Sequence, residues 1–497
     1  MTVAVLTGVA FVVVLGVMVG AARPRRSSGL ADFHVAAREV PPWWNGAAIS
    51  SEVTSAAACL GTAGLIATHG GPMLWYPVGA AAGFVVILAL VVAPLRRSGT
   101  YTLPDFAGWR LRSARLRPFT TCFLLVIGLA FMVAQLHAAG IVVRLLTGLP
   151  PWLGWAAVGA ATLGVAVAGG LGSVTSLQAS QFWLKLVVFL GVGVICWWMS
   201  GARPITLFEG SYRAGVAGLA GAGDPSLPGV LAVLLACALG TMGLPHVIVR
   251  VYTNRDARAA RRSIVAAQVM LAVFGVVPPL YGVLGHRHAR DATADEIVLL
   301  LPARMLPGAA GEALTGVLAA GAFAALLATM VGVLVAVGGA VSSCVPTAGA
   351  RSFRAAVTAV LLAALALTAV STPRESVALV VVGFTLSAAT FCPMLVLGIW
   401  WRRLTDAGVA AGFAVGGGVT AVLVLSEQAG GRAGEPASYP ALVAVPVAFA
   451  AMVMMSLVTP GRVPSGVGWM MARMHVPEPG AGPPDCRSSQ PGDRSSH

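Results

Sequence analysis

Long apolar segments recur from one end of the chain to the other, and they restrict its fold more than any other feature. A helix that crosses a bilayer needs about 20 mainly apolar residues. Of the 497 residues 57% are hydrophobic and only 10% are charged, whereas roughly 25% are charged in soluble domains. Because backbone groups in lipid must be hydrogen-bonded within the segment, we predict an all-α polytopic membrane protein. The thirteen predicted spans are 1–21, 43–67, 73–95, 119–146, 151–170, 176–200, 228–252, 262–285, 312–345, 353–371, 376–400, 407–426 and 438–459.

The arginines predict how these spans are oriented. No basic residue precedes the first apolar run, and Arg23, Arg25 and Arg26 follow it. This order is the reverse of a secretory signal, so the first span is predicted to be retained with its N-terminus outside. With that orientation 23 arginines lie on the cytoplasmic side and 8 outside. The positive-inside asymmetry therefore predicts a cytoplasmic C-terminus, in the plasma membrane of a bacterium.

Several classes of function and partner find no support in the sequence. The net charge of +14 reflects the arginines of the predicted cytoplasmic loops, and no basic domain stands apart from the spans. We therefore expect the lipid bilayer as a partner and no nucleic acid. The seven cysteines show no CxxC or metal-ligand spacing, so we expect neither a transition metal nor a cofactor. No ATP-binding or hydrolytic motif is found, which argues against an enzyme and against ATP-driven transport. Nothing in the sequence implies a required protein partner.

Two of the spans are interrupted. The span 43–67 carries polar side chains at 50, 51, 52, 54 and 55, which cover nearly every direction around a helix and exclude a regular lipid-facing one. The span 228–252 contains Gly240, Gly243 and Pro245, which we expect to unwind it. Broken helices at matching places in two halves point to a transporter site. These two lie five spans apart, which predicts an inverted repeat over spans two to eleven.

The carboxylate of Glu52 lies within the first break. A charged residue near the bilayer centre costs at least ~2.5–3.5 kcal/mol unless it has a partner. Glu52 either braces the broken helix through hydrogen bonds or works directly on an ion or a proton. Carbonyls freed by the break and nearby hydroxyls are hard oxygen ligands, which suit a small cation.

Five stretches of the chain resemble the sodium:solute symporter family, in its acetate and monocarboxylate branch. They are "DFHVAAREVPPWWNGAAISSEVTSAAACLGTAGLI", "LWYPVG", "PLRRSGTYTLPDF", "GGLGSVTSLQASQFWLKL" and "GLPHVIVRVYTN". The resemblance implies a LeuT-like core of two inverted five-helix repeats, with broken first and sixth core helices and alternating access. The corresponding division is an N-terminal helix at 1–21, a first repeat at 43–200, a second repeat at 228–400, two further helices at 407–459 and a disordered cytoplasmic tail at 460–497.

The resemblance also implies a Na⁺ site between the first and eighth core helices. Its carbonyl ligands would come from Ser51, Thr54 and Ala325, with Ser55 close by. The family often carries two hydroxyl residues in the eighth core helix, where this sequence has Ala328 and Thr329. One expected hydroxyl ligand is therefore absent.

Polar residues inside the spans are candidates for solute binding. Gln178 stands where family members that carry sugars or amino acids often have an aspartate, and Gln181 lies on the same helix face. Gln135 and His137 lie in mid-span, and His246 follows the second break. Amide and imidazole donors would suit a carboxylate, although interhelical hydrogen bonds are an equally ordinary use for such side chains.

These observations predict a secondary active symporter that imports a small organic anion, such as acetate, together with Na⁺. The alternatives are an H⁺-coupled symporter, with Glu52 as the proton carrier, and a solute sensor or inactive paralogue that does not transport.

The arginine asymmetry yields a direct test of the orientation. A fluorescent protein that is dark in the periplasm, fused to the C-terminus, is expected to fluoresce because that end is predicted to be cytoplasmic. A stable but dark fusion, with the same reporter bright in the loop at 96–118, would contradict the thirteen-span topology.

Overall fold

The computed structural model describes residues 40–168, 171–201, 227–289, 291–345, 349–371, 376–428 and 440–477, and their regular structure is helical. The predicted first span, 1–21, lies outside these residues. The α-helices are α1 Pro42–Val53, α2 Ala56–His69, α3 Trp75–Leu90, α4 Val92–Ser98, α5 Leu103–Leu111, α6 Leu116–Thr147, α7 Pro151–Ala168, α8 Leu171–Met199, α9 Leu227–Gly240, α10 Pro245–Tyr252, α11 Ala257–Phe274, α12 Val277–His288, α13 Ile297–Met305, α14 Ala309–Ser342, α15 Ala350–Val370, α16 Ser376–Trp400, α17 Asp406–Gln428, α18 Pro440–Val458 and α19 Val467–His475.

Among the described residues, eight helices are long and apolar enough to cross a membrane. Three pairs reach that length only together, and each is bent: α1 with α2 by 56°, α3 with α4 by 55°, and α9 with α10 by 41°. Counting each pair as one span gives up to eleven, and α7 is a further, shorter apolar helix. The chain is therefore a multi-pass membrane protein with the two predicted broken spans.

Side chains of the polar cluster satisfy the backbone at the first break. The Thr54 hydroxyl donates to the Ser50 carbonyl at 2.6 Å, and the Ser55 hydroxyl accepts from the Ala58 amide at 3.0 Å as the N-cap of α2. Ser50, Ser51 and Glu52 are fully or almost fully buried. Irregular backbone at membrane depth is thus enclosed by protein, as it must be in lipid.

The second span is bent at the predicted residues, and its glycines also allow close packing there. Gly240 has right-handed helical angles and ends α9, and a 3₁₀ turn, Thr241–Gly243, joins it to Pro245 at the start of α10. A Cβ on Gly240 would lie 2.3 Å from the Phe384 carbonyl oxygen, and one on Gly243 would lie 2.4 Å from the Cβ of Phe391. The glycines therefore let this segment touch the backbone and side chains of α16.

Arginines of the densely basic loops also close helix ends. Arg96 donates to the backbone carbonyls of Asn254 and Arg255, just beyond α10. Arg110 is buried and donates to the carbonyls of Gly398 and Trp401 at 2.7 and 3.1 Å, at the end of α16. Cations are favourable at helix C-termini, where the last carbonyls lack partners.

The prediction of a disordered tail from residue 460 is wrong for its first part. Residues Val467–His475 form α19, which packs against α4 through its buried residues Met470, Met471 and Met474. Arg97 donates to the carbonyls of Met474 and His475 at 3.2 and 3.3 Å. The Pro- and Gly-rich composition of the whole tail concealed this short apolar stripe. Residues 478–497 lie outside the described part.

The close approach of Gly240 to α16 gives a stability prediction. Gly240→Ala is expected to lower the free energy of unfolding by about 1–3 kcal/mol, because the added methyl meets backbone that cannot yield. Thermal unfolding in detergent measures it. The control is Gly164→Ala in α7, where nothing lies within 4 Å of the new Cβ and stability should be unchanged or higher. Equal melting temperatures for the two variants would contradict the packing role.

Candidate cation and solute site

The first break lies among four other helices. Helices α8, α10, α11 and α14 all pack against α1. The side chain of Asn45 on α1 donates to the Arg250 carbonyl at 3.0 Å, and Ser50 donates to the Ala267 carbonyl of α11 at 3.1 Å. The polar face of α1 is therefore held by backbone acceptors of its neighbours.

Glu52 forms an ion pair with Arg250 of α10 inside the protein. The Arg250 Nη2 lies 2.7 Å from the Glu52 Oε1, and both side chains have no solvent exposure. Gln178 of α8 donates to the same carboxylate oxygen at 2.8 Å and to the Ala328 carbonyl of α14 at 2.7 Å. Arg250 also donates to Thr175 and to the amide oxygen of Gln178. These are the contacts of a brace, and a proton-carrying role for Glu52 stays a prediction.

A glycine on α14 makes room for this network. A Cβ on Gly332 would lie 2.2 Å from the Oε1 of Glu52 and 2.8 Å from the Nε2 of Gln178. The absence of a side chain at position 332 thus allows the carboxylate to lie directly against the helix backbone.

A lysine donates hydrogen bonds to the two α1 carbonyls that the family resemblance assigns to Na⁺. Lys185 of α8 is fully buried, and its ammonium donates to the carbonyls of both Ser51 and Thr54, at 2.8 Å in the case of Thr54. The ring of Phe274 lies on another side, with its centroid 5.9 Å from the Nζ. The carbonyls at the break therefore accept hydrogen bonds from a side chain of the protein itself.

The other residues predicted for the cation lie around the same break. The Thr329 hydroxyl of α14 donates to the Glu52 carbonyl at 2.8 Å, so it contacts α1 at the predicted helix pair. Ala325 and Ala328 are buried on α14, and the Ala328 carbonyl accepts from Gln178. The Ser51 hydroxyl has no hydrogen-bond partner among the described residues.

Two of the solute candidates, Gln135 and His246, lie beside the first break. Gln135 of α6 donates to the Ser55 hydroxyl at 3.3 Å. Phe131, one turn earlier on α6, packs edge-on against the His246 ring with 5.4 Å between centroids. In the described part of the chain, the amide oxygen of Gln135 and the Nδ1 of His246 are buried without a hydrogen-bond partner. Gln135 and His246 therefore present unused polar atoms beside the break.

The remaining candidates lie elsewhere. His137 shares a 2.9 Å hydrogen bond with Ser371, beyond the end of α15, so the structure separates it from His246. Gln178 belongs to the ion-pair network. Gln181 is buried, and neither polar atom of its amide has a partner within the described ranges.

Sequence reasoning missed the two cations that organise the site. Lys185 is the only lysine among the 32 lysine and arginine residues, and it lies within a predicted span. A single lysine inside a span is the sequence signal that could have identified it as a site residue. Arg250 lies one turn after His246 in a span with a proline break. Their partners are far away in the chain, 134 residues for Lys185 and Ser51 and 198 for Arg250 and Glu52, so no local pattern predicts either pairing.

A cavity of about 390 Å³ adjoins the break between α2, α3 and α11. Thr54, Cys59 and Thr62 line it together with apolar residues such as Phe274. Gln135 and His246 are not among its lining residues, so the unused polar atoms lie on another side of the broken helix.

A family model described as the sodium:solute symporter family matches residues 33–416, more than half of the chain. The chain belongs to the sodium:solute symporter family. It is 28% identical over 458 residues to an uncharacterized symporter, YwcA, of Bacillus subtilis (strain 168), a match that covers 86% of this chain and 88% of that protein. As a member of this family, the protein is a cation-coupled solute symporter.

Two solved structures confirm the predicted fold. One is a Na⁺-coupled sialic acid symporter in a substrate-bound outward-open state, with a TM-score of 0.74 and 13% identity, covering 92% of this chain and 98% of that one. The other is MHP1, a nucleobase-cation-symport-1 family transporter in a closed conformation, with a TM-score of 0.56 and 13% identity, covering 89% and 98%. Both have the LeuT fold, and at this identity the likeness concerns the fold alone.

The buried ion pair gives a second stability prediction. Arg250→Met is expected to lower the free energy of unfolding by about 3–5 kcal/mol, because it leaves the Glu52 carboxylate buried without a counter-charge. Glu52→Gln combined with Arg250→Met should recover part of this loss. Thermal unfolding in detergent measures both variants.

The matched control is Arg144→Met, which removes an arginine whose side chain is 58% exposed and pairs with Glu296 at 3.2 Å. An exposed pair contributes about 0–1 kcal/mol, so this variant should melt close to the wild type. A similar loss in Arg144→Met and Arg250→Met would contradict the bracing role.

Proposed function

We propose that the protein imports a small organic solute, a short monocarboxylate such as acetate, by secondary active symport with a cation. The observation that carries the proposal is the pair of carbonyls at the first break, Ser51 and Thr54, which hold a buried positive charge. Membership of the sodium:solute symporter family supports the symport. Na⁺ is the coupling ion that the family name supports, and H⁺ is the alternative.

Charge favours an anion as the solute. The buried network contains one carboxylate, Glu52, and two cationic side chains, Arg250 and Lys185. With all three charged the sum is +1, which one monoanion neutralises. Burying an uncompensated charge is costly, so a bound carboxylate would stabilise this arrangement.

The broken helices supply donors for such a carboxylate. The N-terminus of α2 begins after Ser55 and that of α10 begins at Pro245, next to His246. Helix N-termini carry a partial positive charge and unpaired amides, which favour anions. His246 and Gln135 add side-chain groups, and Phe131 offers an apolar surface for a short alkyl chain.

In this proposal the transport cycle couples the two ligands through the broken helix. The break in the first helix contacts α8 and α14, and the solute position joins α2 to α6 and α10. Binding of both the cation and the solute would favour a closed state, from which the site opens to the other side of the membrane. We further propose the plasma membrane of a bacterium as the location, with the N-terminus outside and the C-terminus in the cytoplasm.

Uptake into proteoliposomes tests the function. The purified protein is expected to accumulate radiolabelled acetate, propionate or pyruvate when an inward gradient of Na⁺ or H⁺ is imposed. Absence of transport of all three by well-folded protein, under either gradient, would contradict the proposal and favour the sensor or inactive paralogue.

A pair of histidine variants tests the solute position. His246→Gln is expected to raise the solute concentration for half-maximal uptake about tenfold or more, since a hydrogen bond to a charged group contributes about 1.5–3 kcal/mol. His137→Gln is the matched control and should have little effect, because His137 bonds Ser371 instead. An equal effect of both would contradict the assignment of His246.

A further inference from the structure

The ammonium of Lys185 and a Na⁺ ion require the same oxygen atoms. Two carbonyls freed by the break, those of Ser51 and Thr54, accept hydrogen bonds from Lys185. These are the first-helix carbonyls expected to coordinate Na⁺. Each carbonyl is directed at the Nζ, so an ion placed between them would overlap the ammonium.

The oxygen shell around this position is also poorer than a bare ion needs. Ala328 supplies no hydroxyl, and the hydroxyl of Thr329 donates a hydrogen bond to the Glu52 carbonyl. An ammonium uses three directional donors and is satisfied by few acceptors, whereas a metal cation requires a fuller shell of oxygens. The donor set therefore fits the lysine better than it fits Na⁺.

The charges of the surroundings favour one cation here and not two. Glu52 is the carboxylate of this network, and its Oε1 already accepts from Arg250 and Gln178. The middle of α14, "AFAALLATMVG", carries no ionisable side chain. Cys59 is the other titratable group that acts on Lys185 among the described residues. A Na⁺ ion next to Lys185 would thus add a second positive charge without adding a negative one.

A lysine side chain is well suited to the place of a small ion. Lysine presents a compact, strongly localised charge on a flexible stem, whereas arginine presents a broad planar one. The other 31 residues among the lysines and arginines are arginines, and the single lysine stands where the family resemblance places a small spherical ion.

We propose that Lys185 is a tethered substitute for the coupling Na⁺, so that the protein does not bind Na⁺ between α1, α8 and α14. The inference rests on the proposed function only for its transport readout. In this arrangement the lysine keeps α1 attached to α8 in the way the ion attaches the broken helix to its neighbours in the family. Transport by this protein then does not depend on Na⁺ at this site.

A sodium titration of the purified wild-type protein tests the proposal without transport. The melting temperature is measured in detergent with increasing NaCl, at constant ionic strength maintained with choline chloride. A ligand that binds the folded state stabilises it according to its concentration relative to Kd. We expect the two salts to give the same melting temperature throughout. A Na⁺-specific, saturable rise in the wild type would overturn the proposal.

A double variant provides the converse measurement. Lys185→Met with Ala328→Ser frees both carbonyls and restores the hydroxyl that the family carries, so we expect it to gain a saturable stabilisation by Na⁺ over choline. Val187→Met, two positions along α8 at a side chain with 70% exposure, is the control and should behave as the wild type. A Na⁺ response shared by the wild type and the double variant would show that the lysine does not replace the ion.

Solute exchange in proteoliposomes supplies the transport readout. The wild type is expected to exchange its solute at equal rates in Na⁺ and choline media. Exchange that requires Na⁺ would overturn the proposal for Lys185 while leaving the symport function intact. Absence of any exchange would contradict the proposed function, and the sodium titration would still decide the role of Lys185.

Discussion

The ion pair between Glu52 and Arg250 is the interaction on which the centre of this protein depends. It joins α1, the first half of one broken helix, to α10, the second half of the other. Neither side chain is exposed to solvent. Gln178 extends the pair to α8 and, through the Ala328 carbonyl, to α14. A broken helix loses backbone hydrogen bonds, and in lipid they cannot be replaced by water. The polar network thus provides the attachment that regular helix packing supplies elsewhere in the chain.

Charge balance links this brace to the cation position. Arg250 neutralises Glu52, so Lys185 faces backbone carbonyls without a carboxylate of its own. With Lys185 protonated, the whole centre carries an excess of one positive charge, and the unused polar atoms of Gln135 and His246 lie on the side of the break that faces α6 and α10. The same residues therefore link the architecture of the broken helices to the anionic solute that we propose.

The sequence predicted the helical class and the two breaks because both follow from local properties. Apolar length identifies spans, and the polar residues at 50–55 exclude a regular helix there. It did not predict that Lys185 would reach the carbonyls of Ser51 and Thr54, because that contact joins residues 134 and 131 positions apart. It did not predict the hydrogen bond of Gln178 to Glu52, and the role of Gln178 in solute binding stays a prediction. The break at Gly240 was predicted, whereas its close approach to α16 is visible only in the tertiary structure. Composition averaged over the tail concealed the three methionines of α19.

Gly332 has a consequence for the speed of conformational change. Where helices interlock through side chains, one can pass another only by lifting each side chain out of its groove. At position 332 the surface of α14 is bare backbone, against which the Glu52 carboxylate and the Gln178 amide lie. We expect the paired charges of α1 and α10 to cross it as one neutral unit, with the hydrogen bonds of Gln178 exchanged and the ion pair kept closed. The activation enthalpy of the opening step would then reflect a few amide hydrogen bonds rather than the separation of two buried charges.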